Sequence, residues 1–165
     1  MRSTSLAVLT LLVIIVGLTG CAKESVDLAQ DVGLLSNTCG TEGARLQATV
    51  DGASYCGNAQ LIATGSEGTV IVTGVDLTGS TLIIQADSLA VGEQAITDAT
   101  NGVLYMQNSA PYVVMPGQPG TLTITHVDTT AHVFKANFNV TLHNEMSGGT
   151  RSVQGSVDVV YTVEE

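Results

Sequence analysis

The chain has 165 residues, five basic against 15 acidic side chains, and a formal net charge of −10. An excess of carboxylates on this scale repels polyanions and argues against nucleic acid as a partner. Tryptophan is absent and only four tyrosines and two phenylalanines are present, so the exposed aromatic platforms on which carbohydrate-binding faces stack sugars are scarce.

Met1-Arg2-Ser3-Thr4-Ser5 carries one positive charge and no acid, the makeup of a signal-peptide n-region. Leu6–Leu18 is apolar apart from one threonine. It falls short of the roughly 20 residues that a spanning helix needs. Leu18-Thr19-Gly20-Cys21 follows at once. This resembles the lipobox of bacterial lipoproteins: an aliphatic residue, two small residues, then cysteine. Small residues let the peptidase reach the scissile bond, and a thiol takes the diacylglyceryl thioether. The resemblance implies cleavage before Cys21 and anchoring in the membrane through acyl chains on that residue. Ala22 stands where an aspartate would resemble an inner-membrane retention signal, so the outer membrane is expected. Lys23-Glu24 loosely resembles surface-export signals of Bacteroidota lipoproteins. The expected organisation is a signal peptide over 1–20, a lipidated N-terminus and tether over 21–43, and a β-rich domain over 44–165. Within the tether, a short helix over Val26–Val32 is capped by Ser25 and stopped at Gly33.

From Ala44 the apolar period becomes two. Ala44, Leu46, Ala48 and Val50 point one way, Arg45, Gln47 and Thr49 the other. Asp51-Gly52 supplies the turn of a tight hairpin. Further strands are expected over 58–64, 68–75, 80–86, 102–107, 111–115, 120–127, 131–142 and 151–163. Their separators, such as Asp76-Leu77-Thr78-Gly79 and Pro116-Gly117-Gln118-Pro119-Gly120, are rich in turn residues. Short strands at this spacing predict an all-β fold, an antiparallel β-sandwich or small barrel of about eight to ten strands. In the C-terminal third, Phe134, Ala136, Phe138, Val140 and Leu142 share one face. Val153, Val157, Val159, Tyr161 and Val163 share another. Ala48-Thr49-Val50-Asp51-Gly52, the run Gly120–Thr125, and Phe134 with Phe138 together resemble uncharacterised Bacteroidota lipoproteins, in which a lipobox precedes one small β-rich domain. Many of those carry a tryptophan soon after the Asp-Gly turn, where this chain has Tyr55-Cys56.

Three groups of residues are candidates for chemistry. Cys39 and Cys56 remain after Cys21 is lipidated, and secretion favours a bridge between them over free thiols or another pairing. A loop of about 17 residues closed in this way contributes roughly 3 kcal/mol by chain entropy. If Ile124 pairs with Phe134 and Leu122 with Ala136, His126 falls opposite His132. Cross-strand Cβ atoms lie about 4.5–5.5 Å apart, so the two imidazoles and Asp128 then form a candidate metal site. The competing reading puts both histidines at a solvated rim beside a turn. His143 lies on the polar side of its strand and reads as surface. No Gly-x-Ser-x-Gly elbow, phosphate-binding loop or cofactor motif occurs.

The leading expectation is a lipid-anchored, non-catalytic binding or structural module of the cell envelope. A small barrel carrying an apolar or amphipathic ligand is the alternative, with room left at Ala86, Ala136 and Gly155. A metal-dependent hydrolase built on the histidine pair comes third.

Overall fold

A computed structural model describes residues 39–66 and 68–163, and within them the chain is all-β. The expected signal peptide, Cys21 and the helix over Val26–Val32 lie outside the described residues. Twelve strands follow one another: β1 Ala44–Val50, β2 Ala53–Cys56, β3 Gln60–Ser66, β4 Thr69–Val75, β5 Thr81–Ala86, β6 Gly92–Ile96, β7 Val103–Gln107, β8 Ala110–Val114, β9 Gly120–Asp128, β10 Val133–His143, β11 Thr150–Val160 and β12 Thr162–Val163. The count exceeds the expected eight to ten because three short strands, β2, β6 and β12, join the long ones.

Hydrogen bonding links them into one open sheet in the order β12-β3-β4-β5-β7-β8-β10-β11-β1-β2, with β9 and then β6 branching from β10. Every pair is antiparallel except β12 on β3. The path folds over on itself into two layers. The first is β2-β1-β11-β10-β9-β6 and the second is β12-β3-β4-β5-β7-β8. β8 belongs to both, pairing Tyr112 with Tyr105 on one side and Val114 with Leu142 on the other.

Alternation in sequence explains which residues lie between the layers. Leu46, Phe134, Leu142 and Val153 from the first layer and Val70, Val72 and Leu82 from the second are all completely buried in one apolar cluster. Each such side chain contributes roughly 1.5–3 kcal/mol on leaving water. The expected inward faces of β1, β10 and β11 are those observed, except that Ala44 at the start of β1 is exposed and Val163 is 52% exposed. The strand is interrupted at Tyr161, and Thr162–Val163 cross to pair with β3, which turns Val163 outward.

Two expectations about the interior are corrected. Gly155 leaves no room for a ligand: a Cβ there would stand 2.2 Å from the Gln47 carbonyl oxygen and 2.8 Å from the Ala48 Cβ, so β1 itself fills the space. Ala86 and Ala136 are likewise buried within the packed core. The register of β9 against β10 also differs. Ile124 pairs with Ala136 and Leu122 with Phe138, and a bulge then lets His126 pair with Lys135. The extra residue is Thr125, whose hydroxyl donates to the Lys135 carbonyl at 3.1 Å. One inserted residue reverses the facing of everything beyond it, so Val127 comes opposite Phe134 and His126 turns to solvent.

Candidate functional site

A polar concavity lies at one end of the sandwich, where the β1–β2 and β4–β5 turns meet the start of β11. The first turn is the expected Asp-Gly hairpin, with φ of 50° at Asp51 and 81° at Gly52, a type I′ geometry that matches the strand twist. Asp51 Oδ1 accepts from the Ser152 N–H at 2.8 Å, and its Oδ2 meets the Arg151 guanidinium at 3.0 Å. In the second turn, Asp76 Oδ1 accepts from the Thr78 N–H, the Thr78 hydroxyl and the Ser80 N–H, each at 2.8 Å. Short acidic side chains at turns satisfy the N–H groups that the ladder leaves free.

The floor is aromatic. Tyr55 meets Tyr105 edge-on with centroids 6.1 Å apart, and Tyr105 tilts against Tyr112 at 6.1 Å. The Arg151 guanidinium stands 5.0 Å above the Tyr112 ring, within cation–π range. The Tyr55 hydroxyl accepts from the Leu82 N–H at 3.1 Å and donates to the Gly74 carbonyl at 2.5 Å. Gly74 and Leu82 face one another across β4 and β5, so this phenol ties the first layer to the second. Burial pushes its pKa well above the ordinary phenol value, with the Leu82 N–H opposing. Above this floor, Asp51, Ser54, Asp76, Gln107 and Arg151 help to line a cleft of about 370 Å³. The volume falls in the range of small-molecule sites. Both carboxylates and the guanidinium already have partners, so the rim is rigid and offers hydrogen bonds rather than an uncompensated charge.

Cys39 and Cys56 form the expected disulfide, with Cα atoms 5.3 Å apart. Cys56 lies opposite Gln47, on the outer side of the first layer. The bridge therefore fastens the start of the described chain to the free edge of β2.

The candidate metal residues are not assembled into a ligand set. His126 is exposed and pairs with Lys135, not with His132. His132 sits in the turn at φ 55°, its ring 5.3 Å from that of Tyr161. Asp128 Oδ1 accepts from the Thr130 and Ala131 N–H groups, both at 2.8 Å. Those two bonds hold its carboxyl below the usual range. Among the described residues no group of three His, Cys, Asp or Glu side chains is placed to hold a metal ion. His143, read as plain surface, is part-buried with Nδ1 3.2 Å from the Val113 carbonyl oxygen, at the corner where β8 joins β10.

Asp51 and Asp76 are legible in the sequence as turn residues, whereas nothing local marks Arg151 or the row Tyr55-Tyr105-Tyr112. The Asp51–Arg151 pair spans 100 positions and follows only from the register of β1 on β11, where Val50 lies opposite Val153. No protein-family model, curated protein or solved structure matches this chain.

Proposed function

We propose that the chain is a lipoprotein of the bacterial cell envelope, held by acyl chains on Cys21, whose β domain is a non-catalytic binding module. The observation that carries the anchor is Leu18-Thr19-Gly20-Cys21, placed directly after a basic n-region and the apolar run Leu6–Leu18. Two or more acyl chains give stable attachment where one gives only marginal binding. With five basic against 15 acidic side chains, the chain has little positive charge with which to hold anionic lipid, and acyl chains supply the attachment instead. Ala22 after the cysteine favours the outer membrane as destination.

Binding rather than catalysis suits the cleft. Its charged groups are committed to turn N–H groups and to one another, an arrangement that rigidifies a rim and leaves no base free beside a nucleophile there. A small neutral ligand with hydroxyl or amide groups matches such a lining of donors and acceptors.

The test is metabolic labelling with an alkynyl fatty acid, followed by membrane fractionation, on the full chain and on Cys21→Ser. The expected result is a labelled, shortened, membrane-bound wild type and an unlabelled variant of precursor length. An unlabelled wild type, or a variant that still takes label, refutes the assignment.

A further inference from the structure

The two layers present opposite kinds of surface to their surroundings. Outward positions of the first layer include Lys135, which bridges Glu42 at 3.1 Å and Asp158 at 3.2 Å, beside polar Asn137, Asn139 and Gln154. The second layer has no counterpart to that row. Its strands β3, β4, β5, β7 and β8 contain no charged residue at any position, inward or outward. Register places Ile62, Thr73, Ile83 and Leu104 in one outward row, and Val75, Thr81 and Met106 in the next. Ile62 is 46% and Ile71 37% exposed. A contiguous aliphatic and threonine face is a recognised mark of an interaction surface.

We infer that two copies of this chain meet on this face, layer against layer, about a two-fold axis passing near Thr73 and Ile83. Charge selects the occupant. Each copy carries a formal −10, so contacts through other faces bring like charges together, while this face brings none. A two-fold contact uses the same patch on both sides, and a flat neutral patch is complementary to itself. Facing sheets settle about 10 Å apart with their side chains interleaved. Area sets the strength. Five strands at about 4.8 Å spacing and roughly 20 Å of length give a footprint near 500 Å² per copy, or about 1,000 Å² for the pair. That is the lower end for specific interfaces, and two copies held in one membrane gain from their raised effective concentration. Only this last gain rests on the lipoprotein reading.

The experiment places one cysteine on each outer surface of the full chain in intact cells, Thr73→Cys in the second layer and Asn139→Cys in the first, and adds a short bis-maleimide. Thr73→Cys is expected to give a species of twice the chain mass, and Asn139→Cys to stay single. Adding Ile71→Lys, or separately Ile62→Lys, to Thr73→Cys is expected to cut the crosslinked fraction about tenfold, because each two-fold contact then buries two unpaired ammonium groups. Equal crosslinking at both sites, no crosslinking at Thr73→Cys, or a product of another mass overturns the inference. A fluorophore on Thr73→Cys that brominated lipid quenches assigns the face to the bilayer and also overturns it. Fatty-acid label is read on the same samples. Crosslinking without label upholds the dimer and removes the anchor, and label without crosslinking does the reverse.

Discussion

Tyr55→Phe removes one oxygen from the junction between the layers and leaves the ring where it is. The residue is only 4% exposed, and its hydroxyl serves the Leu82 N–H and the Gly74 carbonyl at once. A hydrogen bond is worth about 0.5–1.5 kcal/mol net, and a buried group left without its partner costs about 1–3 kcal/mol. The phenyl ring keeps its edge-on contact with Tyr105, so packing changes little. The expected loss is therefore about 2–3 kcal/mol. For a domain of this size that lowers the unfolding midpoint by roughly 6–12 °C, measured by circular dichroism at neutral pH with the disulfide intact. The pH dependence gives a second readout. Because burial raises the Tyr55 pKa in the folded state, its contribution is complete below the unfolded phenol pKa of about 10 and declines as the pH climbs above it. The stability gap between wild type and Tyr55→Phe should narrow from pH 9 to pH 11. A loss under about 1 kcal/mol at neutral pH, or a gap that stays constant through pH 11, would show that the hydroxyl does not bridge the layers.

Replacing Cys39 and Cys56 together by serine should cost about 3 kcal/mol by the chain-entropy estimate for a loop of this length, and reductant should bring the wild type down to the same midpoint. Coincident melting curves for oxidised and reduced wild type would dispose of that contribution. Asp128 provides an acid-limb test. Its folded pKa is depressed by the Ala131 and Thr130 N–H groups, so the stability it adds is present above the unfolded value of about 3.9 and is lost as the pH falls through the folded one. Carboxyl ¹³C titration should place its midpoint below that of an ordinary aspartate, and Asp128→Asn should flatten the acid limb. A midpoint at or above about 3.9 contradicts the capping role.

Long alternating runs made much of the fold legible. Phe134 to Leu142 and Val153 to Tyr161 declare their buried sides because an apolar residue stands at nearly every second position, and pairing had only to respect that parity. β6 carries no local signature for a physical reason: Gly92–Ile96 offers a single fully buried side chain, Ile96, and owes its place to pairing with β9. The Asn101 side chain supports it further by donating to the Ala95 carbonyl at 2.9 Å. None of these partners announces itself locally. The histidine pairing failed for a related reason. Parity counting assumes an uninterrupted ladder, and the bulge at Thr125 is stabilised by a bond to the opposite strand, which a period cannot encode. The disulfide was legible because, with Cys21 assigned to the lipobox, two cysteines are left and about 17 residues between them give enough slack to meet. The cleft was illegible because two registers on β1 bring Tyr55 and Arg151 together, and packing between the layers adds Asp76.

The absence of charge from β3, β4, β5, β7 and β8 is visible in the sequence, yet its meaning appears only once the faces are assigned. Buried strands dispense with charge because both their sides are covered, and such a run read alone suggests a central strand covered on both faces. Here the inward side of these strands is covered, while the outward side leaves Ile62 and Ile71 in the open and Ile83 and Leu104 partly so. Solvent-facing strand positions in soluble proteins ordinarily carry lysine or glutamate, which prevent sheets from adhering. The first layer follows that practice with Lys135 on β10 and Asp158 on β11. The second carries threonine at Thr73 and Thr81, a residue that keeps strand propensity and remains compatible with either water or another sheet. A face built in this way costs little while exposed and gains when covered, which is what a weak contact between copies requires.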